Sequence, residues 1–186
     1  MYDSRPDTHE HIAQVRGLLL GVAQDLIARA HRHDRSKLQE PELSVFDEVT
    51  PRLQGSTYGS DEYKGFLADM GEGLRHHYAH NDHHPEHFRG EDSFDAMNLI
   101  QIMEMLCDWI AATRRHDDGD IRRSIEQNAE RFGYGDEVKR LFLNTIDSLE
   151  AAEIQQSHWC GQCGAVCKSS LLDECHNCGA AEYGTA

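Results

Sequence analysis

A chain of 186 residues can bury one good core and leave room for a small appendage, but it is too short for two full domains. Against 33 Asp and Glu stand 18 Lys and Arg, and the net charge of -15 argues against a protein that grips long DNA or RNA through a basic surface. No apolar run reaches the length of a membrane span, and Met1-Tyr2-Asp3-Ser4-Arg5-Pro6-Asp7 lacks the order of a signal peptide, so the expectation is a cytoplasmic protein with no membrane partner. A small phosphorylated ligand remains compatible, because a metal ion and a few local cations outweigh a global negative field inside a pocket.

With four prolines and apolar residues recurring every three or four positions, residues 1–156 predict an all-α domain. The first helical region runs from about Thr8 to His33 and carries Ile12, Val15, Leu18, Leu19, Val22, Leu26 and Ile27, with Gly17 and Gly21 as candidate breaks. A short helix is expected from Pro41, and another from about Asp61 to Tyr78, weakened by Gly71 and Gly73. The strongest signal spans Ser93 or Asp95 to His116, with Met97, Ile100, Met103, Leu106, Cys107 and Ile110 as the core stripe. Two further helices are expected over about 120–132 and 136–155, separated by Gly133-Tyr134-Gly135.

Residues 157–186 change to Cys, Gly and small polar residues, too few to form a core without a staple. Cys160-x-x-Cys163 and Cys175-x-x-Cys178 have the spacing of two zinc knuckles, and four thiolates close a tetrahedral Zn2+ site with no open position. The expectation is a structural zinc ribbon, which also offers a surface for a protein partner. Cys167 reads as a spare thiol and Cys107 as a small buried hydrophobe.

Six histidines fall between positions 76 and 87, and a separate His33-Asp34 pair ends the first helical region. Imidazoles and carboxylates are ligands shared by Zn, Fe, Mn, Co and Ni, provided that they converge from separate segments. If the first region folds into a hairpin near Gly17 to Gly21, His11 returns beside His33-Asp34, with His9 as a weaker candidate. One unbroken helix would instead hold His11 about 33 Å from His33 and exclude it. Asp108 lies among apolar neighbours, where a buried carboxylate needs a metal or an Arg partner, and Glu104 lies one turn before it on the same face.

His11, His33-Asp34 and Asp108 resemble the His…His-Asp…Asp signature of the HD-domain metal-dependent phosphohydrolase superfamily. The longer pattern is similar to an uncharacterised family common in phages and bacteria, over roughly residues 8–146. It comprises His33-Asp34-Arg35-Ser36-Lys37-Leu38, Pro41-Glu42, His76-His77-Tyr78, Asn81, His83-His84-Pro85-Glu86, Glu104 to Trp109 and Gly119-Asp120-Ile121. The resemblance implies an HD-like helical bundle that cleaves phosphate esters at two divalent transition metals. His11, His33, Asp34 and Asp108 would hold one ion, His77 with His83 or His84 the other, and Asp34 would bridge. Lys37 matches the His-Asp-x-x-Lys form in which lysine contacts substrate phosphate. Arg35, Arg114 or Arg115 could neutralise charge on the transferring group, and Glu86 or His87 could shuttle a proton. The leading expectation is hydrolysis of a nucleotide or other small phosphate ester. A non-catalytic adaptor and a diiron oxygenase stand as alternatives, and oligomerisation is left open.

Overall fold

The computed structural model describes residues 2–54, 56, 60–88, 94–116, 118–155, 157–159 and 166–168. The chain divides into two compact units, Met1–Tyr134 and Gly135–Ala186. The first contains helices and no strand among its described residues.

Helix α1 runs unbroken over Arg5–Arg32, opened by Pro6 in its first turn, where a missing N–H costs nothing. Gly17 and Gly21 do not break it. Each interior glycine costs about 1 kcal/mol relative to Ala, less than the hydrogen bonds that a hairpin at this point would give up. A 3-10 turn, Arg35–Leu38, leads into α2, Glu42–Gln54. The helix expected over about 61–78 is instead two, α3 (Asp61–Asp69) and α4 (Gly71–His80), parted where Gly71 takes a φ of +47°. Gly73 lets α4 approach α2 closely, since a Cβ there would lie 2.9 Å from the Val45 side chain.

Helix α5, Leu99–Thr113, starts later than Ser93 or Asp95 because Asn98 caps it. The Asn98 side chain accepts from the Ile100 and Gln101 N–H groups, and the Gln101 side chain accepts from the Asn98 N–H, closing a capping box. Helix α6, Ile121–Phe132, is capped by Asp120 and ends at Gly133, whose φ of +75° suits glycine.

The core of this unit gathers Val49, Met70, Phe94, Met97, Met105, Leu106, Trp109, Ile125 and Tyr134. On α5 the buried face is broader than the expected stripe and turned from it. Met97 and Leu106 are buried and Ile100, Met103 and Ile110 half-buried, but Cys107 is exposed, while Met105 and Trp109 go inside. Contact with α1 and also with α6 explains why more than one stripe of α5 is covered.

The second unit holds α7, Asp136–Gln155, and an antiparallel strand pair, β1 (Ser157–Trp159) and β2 (Val166–Lys168), with His158 opposite Cys167. The expected zinc ligands Cys160, Cys163, Cys175 and Cys178 lie outside the described residues. No helix among the described residues is long and apolar enough to cross a membrane.

Candidate metal centre

The end of α1 turns on Asp34, a non-glycine residue in the left-handed region at φ 54° and ψ 16°. Asp tolerates this conformation better than most residues, and the turn aims its carboxylate back across the helix end. There the two oxygens face different groups. Oδ1 lies 3.4 Å from His77 Nε2, on α4, and 3.5 Å from His83 Nε2, in the loop that follows α4. Oδ2 lies 3.5 Å from His33 Nε2, which in turn is 3.7 Å from Asp108 Oδ1 on α5.

Asp34, His77, His83 and His84 each offer one ligand atom, and these atoms lie within 4.8 Å of one another; His33, Asp34 and Asp108 form a second such group. Two features of the first group fit a cation. Asp34 Oδ1 and His83 Nε2 are buried polar atoms without a hydrogen-bond partner, an arrangement that costs 1–3 kcal/mol per group unless something fills it. His77 Nε2 and His84 Nε2 face each other at 2.9 Å, where two bare lone pairs would repel. One divalent ion taking a carboxylate oxygen and three imidazole nitrogens answers all four atoms, within the coordination habits of Zn, Fe, Co and Ni.

Beneath the histidines lies a layer of carboxylates. Glu42, at the start of α2, is fully buried and accepts from Ser36 Oγ at 2.9 Å, His76 Nδ1 at 2.7 Å and His77 Nδ1 at 2.9 Å. The bond to Nδ1 leaves the His77 Nε2 lone pair toward Asp34, which is how a carboxylate behind a ligand histidine sets its tautomer. Glu104 Oε1 stands 2.9 Å from His33 Nδ1 and 3.5 Å from His83 Nδ1, and so does the same for the other side. Arg29 of α1 is buried, donating to Glu104 at 2.8 Å and to Asp82 at 2.9 and 3.2 Å, while Gln101 donates to Asp82 at 2.7 Å.

Among the described residues, Asp34, Glu42, Asp82, Glu104 and Asp108 thus pair with Arg29 and Lys37 alone as permanent cations, so positive charge is in demand. The proton affinities follow. Hydrogen bonding to Asp108 and Glu104 pushes His33 up to about 10. Burial lowers His77, His83 and His84, the last well below the ordinary imidazole range, which keeps all three neutral as ligands must be. Burial opposes ionisation of Asp34, Glu42 and Glu104, yet Lys37 for the first, His76 for the second and His33 for the third outweigh it, and all three sit lower than usual.

The structure brings together His33, Asp34, His77, His83, His84 and Asp108 of the expected ligands, and not His11. His11 is exposed near the far end of an unbroken helix, about 33 Å of rise from His33, so the hairpin expectation fails. His76, His80 and His87 turn to other partners: Glu42 for the first, the His76 carbonyl for the second and the Tyr78 carbonyl for the third. Lys37 Nζ lies 2.5 Å from Asp34 Oδ2 and over the Phe46 ring, at the open edge. Glu86 is paired with Arg131 of α6, an arrangement suited to holding a guanidinium rather than donating a proton. Arg35 and Arg115 are exposed and join neither group.

Arg29 and Asp82 are members that sequence reading passed over, and Glu42 appeared there only within the Pro41-Glu42 pair, with no role assigned. Arg29 had a signal: it continues the three- and four-residue spacing of Val22 and Leu26, where a charge in an apolar series marks a buried partner.

The chain belongs to a family of unknown function, DUF5662, whose match covers residues 1–155. No curated protein and no solved structure matches it. Membership therefore spans the helical region that carries both ligand groups, and it names no activity.

Proposed function

We propose that the chain is a metal-dependent hydrolase of phosphate esters, with a nucleotide or similar small phosphate ester as its substrate. The observation that carries the reading is Asp34, whose two oxygens address separate ligand groups while Lys37 rests on one of them. This agrees with the bridging aspartate that the HD-domain resemblance implies, with the difference that nothing takes the part of His11. A divalent ion held there would activate a water and neutralise charge on a phosphoryl group.

The remaining roles fall to the chain itself. His77, His83, His84 and Asp34 Oδ1 are the better furnished group and would fill first. His33, Asp34 Oδ2 and Asp108 would take a second ion only as Lys37 leaves Oδ2, and the ammonium released from the carboxylate is then free to hold a substrate phosphate oxygen at the edge of the centre. The raised proton affinity of His33 means that filling this group would displace a proton from Nε2 to solvent, leaving Asp108 ionised as a ligand. Arg131, anchored by Glu86, and Tyr78, whose ring lies 5.0 Å from that of His84, flank the same edge. The tail is read as a structural zinc ribbon, on the two Cys-x-x-Cys pairs and on strands that bracket the first of them in sequence.

Elemental analysis of protein purified without added metal tests the reading, comparing wild type with Asp34→Asn and with a chain ending before Ser157. Zinc lost with the tail and further metal lost with Asp34→Asn are expected, followed by turnover in a screen of mono-, tri- and cyclic nucleotides. Metal confined to the tail after incubation with Mn or Fe, or a fully loaded protein that hydrolyses none of these esters, would overturn it.

A further inference from the structure

Along α1, Ile12, Val15, Leu19, Val22 and Leu26 follow one another at spacings of three, four, three and four, the seam of a coiled coil. Among the described residues, none buries Ile12, Val15, Leu19 or Val22, while Leu26 is half-buried. Ile12 is 46% exposed, Leu19 64% and Val22 44%, and Leu18 beside them is 73% exposed. Asp25 and Leu26 are the first half-buried residues of the helix and Arg29 the first buried one, so up to Gln24 the helix is exposed.

We infer that this free length of α1 packs against the same helix of a second copy of the chain, in antiparallel orientation. Three observations select that occupant. The first is area: Ile12, Val15, Leu18, Leu19 and Val22 leave on the order of 500 Å² of aliphatic surface open along one side of α1, the upper range of a monomer's largest patch and more than half of one side of a standard interface. The second is charge. The chain carries -15 overall, yet between residues 11 and 24 Arg16 is the one Asp, Glu, Lys or Arg, so two acidic molecules meet here without stacking their acidic surfaces. Antiparallel pairing also sets the two bodies at opposite ends. The third is length. With Ile12 opposite Val22 and Val15 opposite Leu19 of the second copy, Arg5 of one helix falls opposite Arg29 of the other, where the helix enters its body, and the whole free length is matched. His11 then flanks Asp25 across the seam, and the stem of Arg16 can carry its charge outward to water.

A membrane surface fits less well. Fourteen residues of helix rise about 21 Å against a hydrocarbon core of about 30 Å, and the segment lacks the Lys- and Arg-rich face that anionic lipids attract.

Sedimentation equilibrium on the full-length protein tests the inference without reference to any activity, so its outcome is independent of the hydrolase reading. The expected mass is twice 21.1 kDa, and Leu19→Glu should weaken association at least a hundredfold with helical circular dichroism retained. Orientation is read from His11: in the antiparallel pair His11→Lys tightens and His11→Glu loosens the dimer a few-fold, because the neighbour is Asp25. In a parallel pair the neighbour is Arg16 and the order reverses, which would overturn the orientation. A wild-type monomer at 100 μM, a dimer indifferent to Leu19→Glu, or flotation of the wild type with anionic vesicles would each overturn the surface itself.

Discussion

The two ends of α1 show one helical face put to opposite uses. From Ile12 to Val22 the face is aliphatic and lies in water; one and two turns beyond Leu26 the same face bears Arg29, which is buried, and His33, which is half-buried. Polarity alone would have sorted them the other way. What decides burial is the availability of partners: Arg29 meets Asp82 and Glu104 through its terminal nitrogens, with Nε alone lacking a hydrogen bond, and His33 meets Glu104 and Asp108. The aliphatic face of the free end is left exposed among the described residues.

The largest change should come from breaking the inner end. Arg29→Ala leaves Asp82 and Glu104 without their guanidinium, and removing one member of a buried ion network costs about 3–5 kcal/mol. Chemical denaturation should show that loss, and Arg29→Met should recover little of it, since packing is not what the carboxylates lack. A loss below about 1 kcal/mol would mean that water already serves them.

Next comes the layer behind the histidines. Glu42→Gln keeps the shape but offers His76 and His77 a single carbonyl oxygen where the carboxylate offered two. Outer groups that orient a ligand histidine are worth about 10–100-fold in metal affinity. Calorimetric titration of metal-free protein with Zn or Mn should show a loss of that size, with the fold retained. Unchanged affinity would show that His77 keeps its tautomer by other means.

Much of this inner end was legible in the sequence, and the reasons for what was not are local. His33-Asp34, the histidine cluster and Asp108 stand out because each breaks an expected composition. The cluster could not reveal which members turn inward, since that depends on where α4 ends, and the end at His80 leaves His83 and His84 in the following loop. Glu42 follows Pro41 at a helix start, where an acidic residue is already explained by the helix dipole, so nothing marked it as buried. Gly17 and Gly21 admitted either a hairpin or a single helix, and only the continuity of α1 removed His11 from the centre.

A smaller effect should appear in acid. Hydrogen bonding to Arg29 pulls Asp82 down to about 2 from an ordinary 3.8. A depressed carboxyl stabilises the fold fully above its unfolded value and loses that contribution as pH falls, here from about 4 through 2. With the Asp82 side chain 37% exposed, solvent screening leaves on the order of 1 kcal/mol. Urea midpoints between pH 5 and 2 should therefore converge for wild type and Asp82→Asn, the wild type being ahead only at the upper limit. Parallel curves would assign the acid sensitivity to the other carboxylates of the centre.

The smallest effect separates the seam of α1 from its general greasiness. Leu20 is 58% exposed, nearly as open as Leu19, but it lies off the three- and four-residue series. Leu20→Gln should leave both the unfolding free energy and the sedimentation mass within error, since surface changes away from a packed contact stay within about 0.5 kcal/mol. Leu19→Gln, one residue away and chemically the same change, should weaken the dimer while leaving metal content untouched. Equal effects at both positions would mean that the aliphatic surface acts as an undirected patch, and the contrast between a solvent-facing end and a partnered end would no longer rest on geometry.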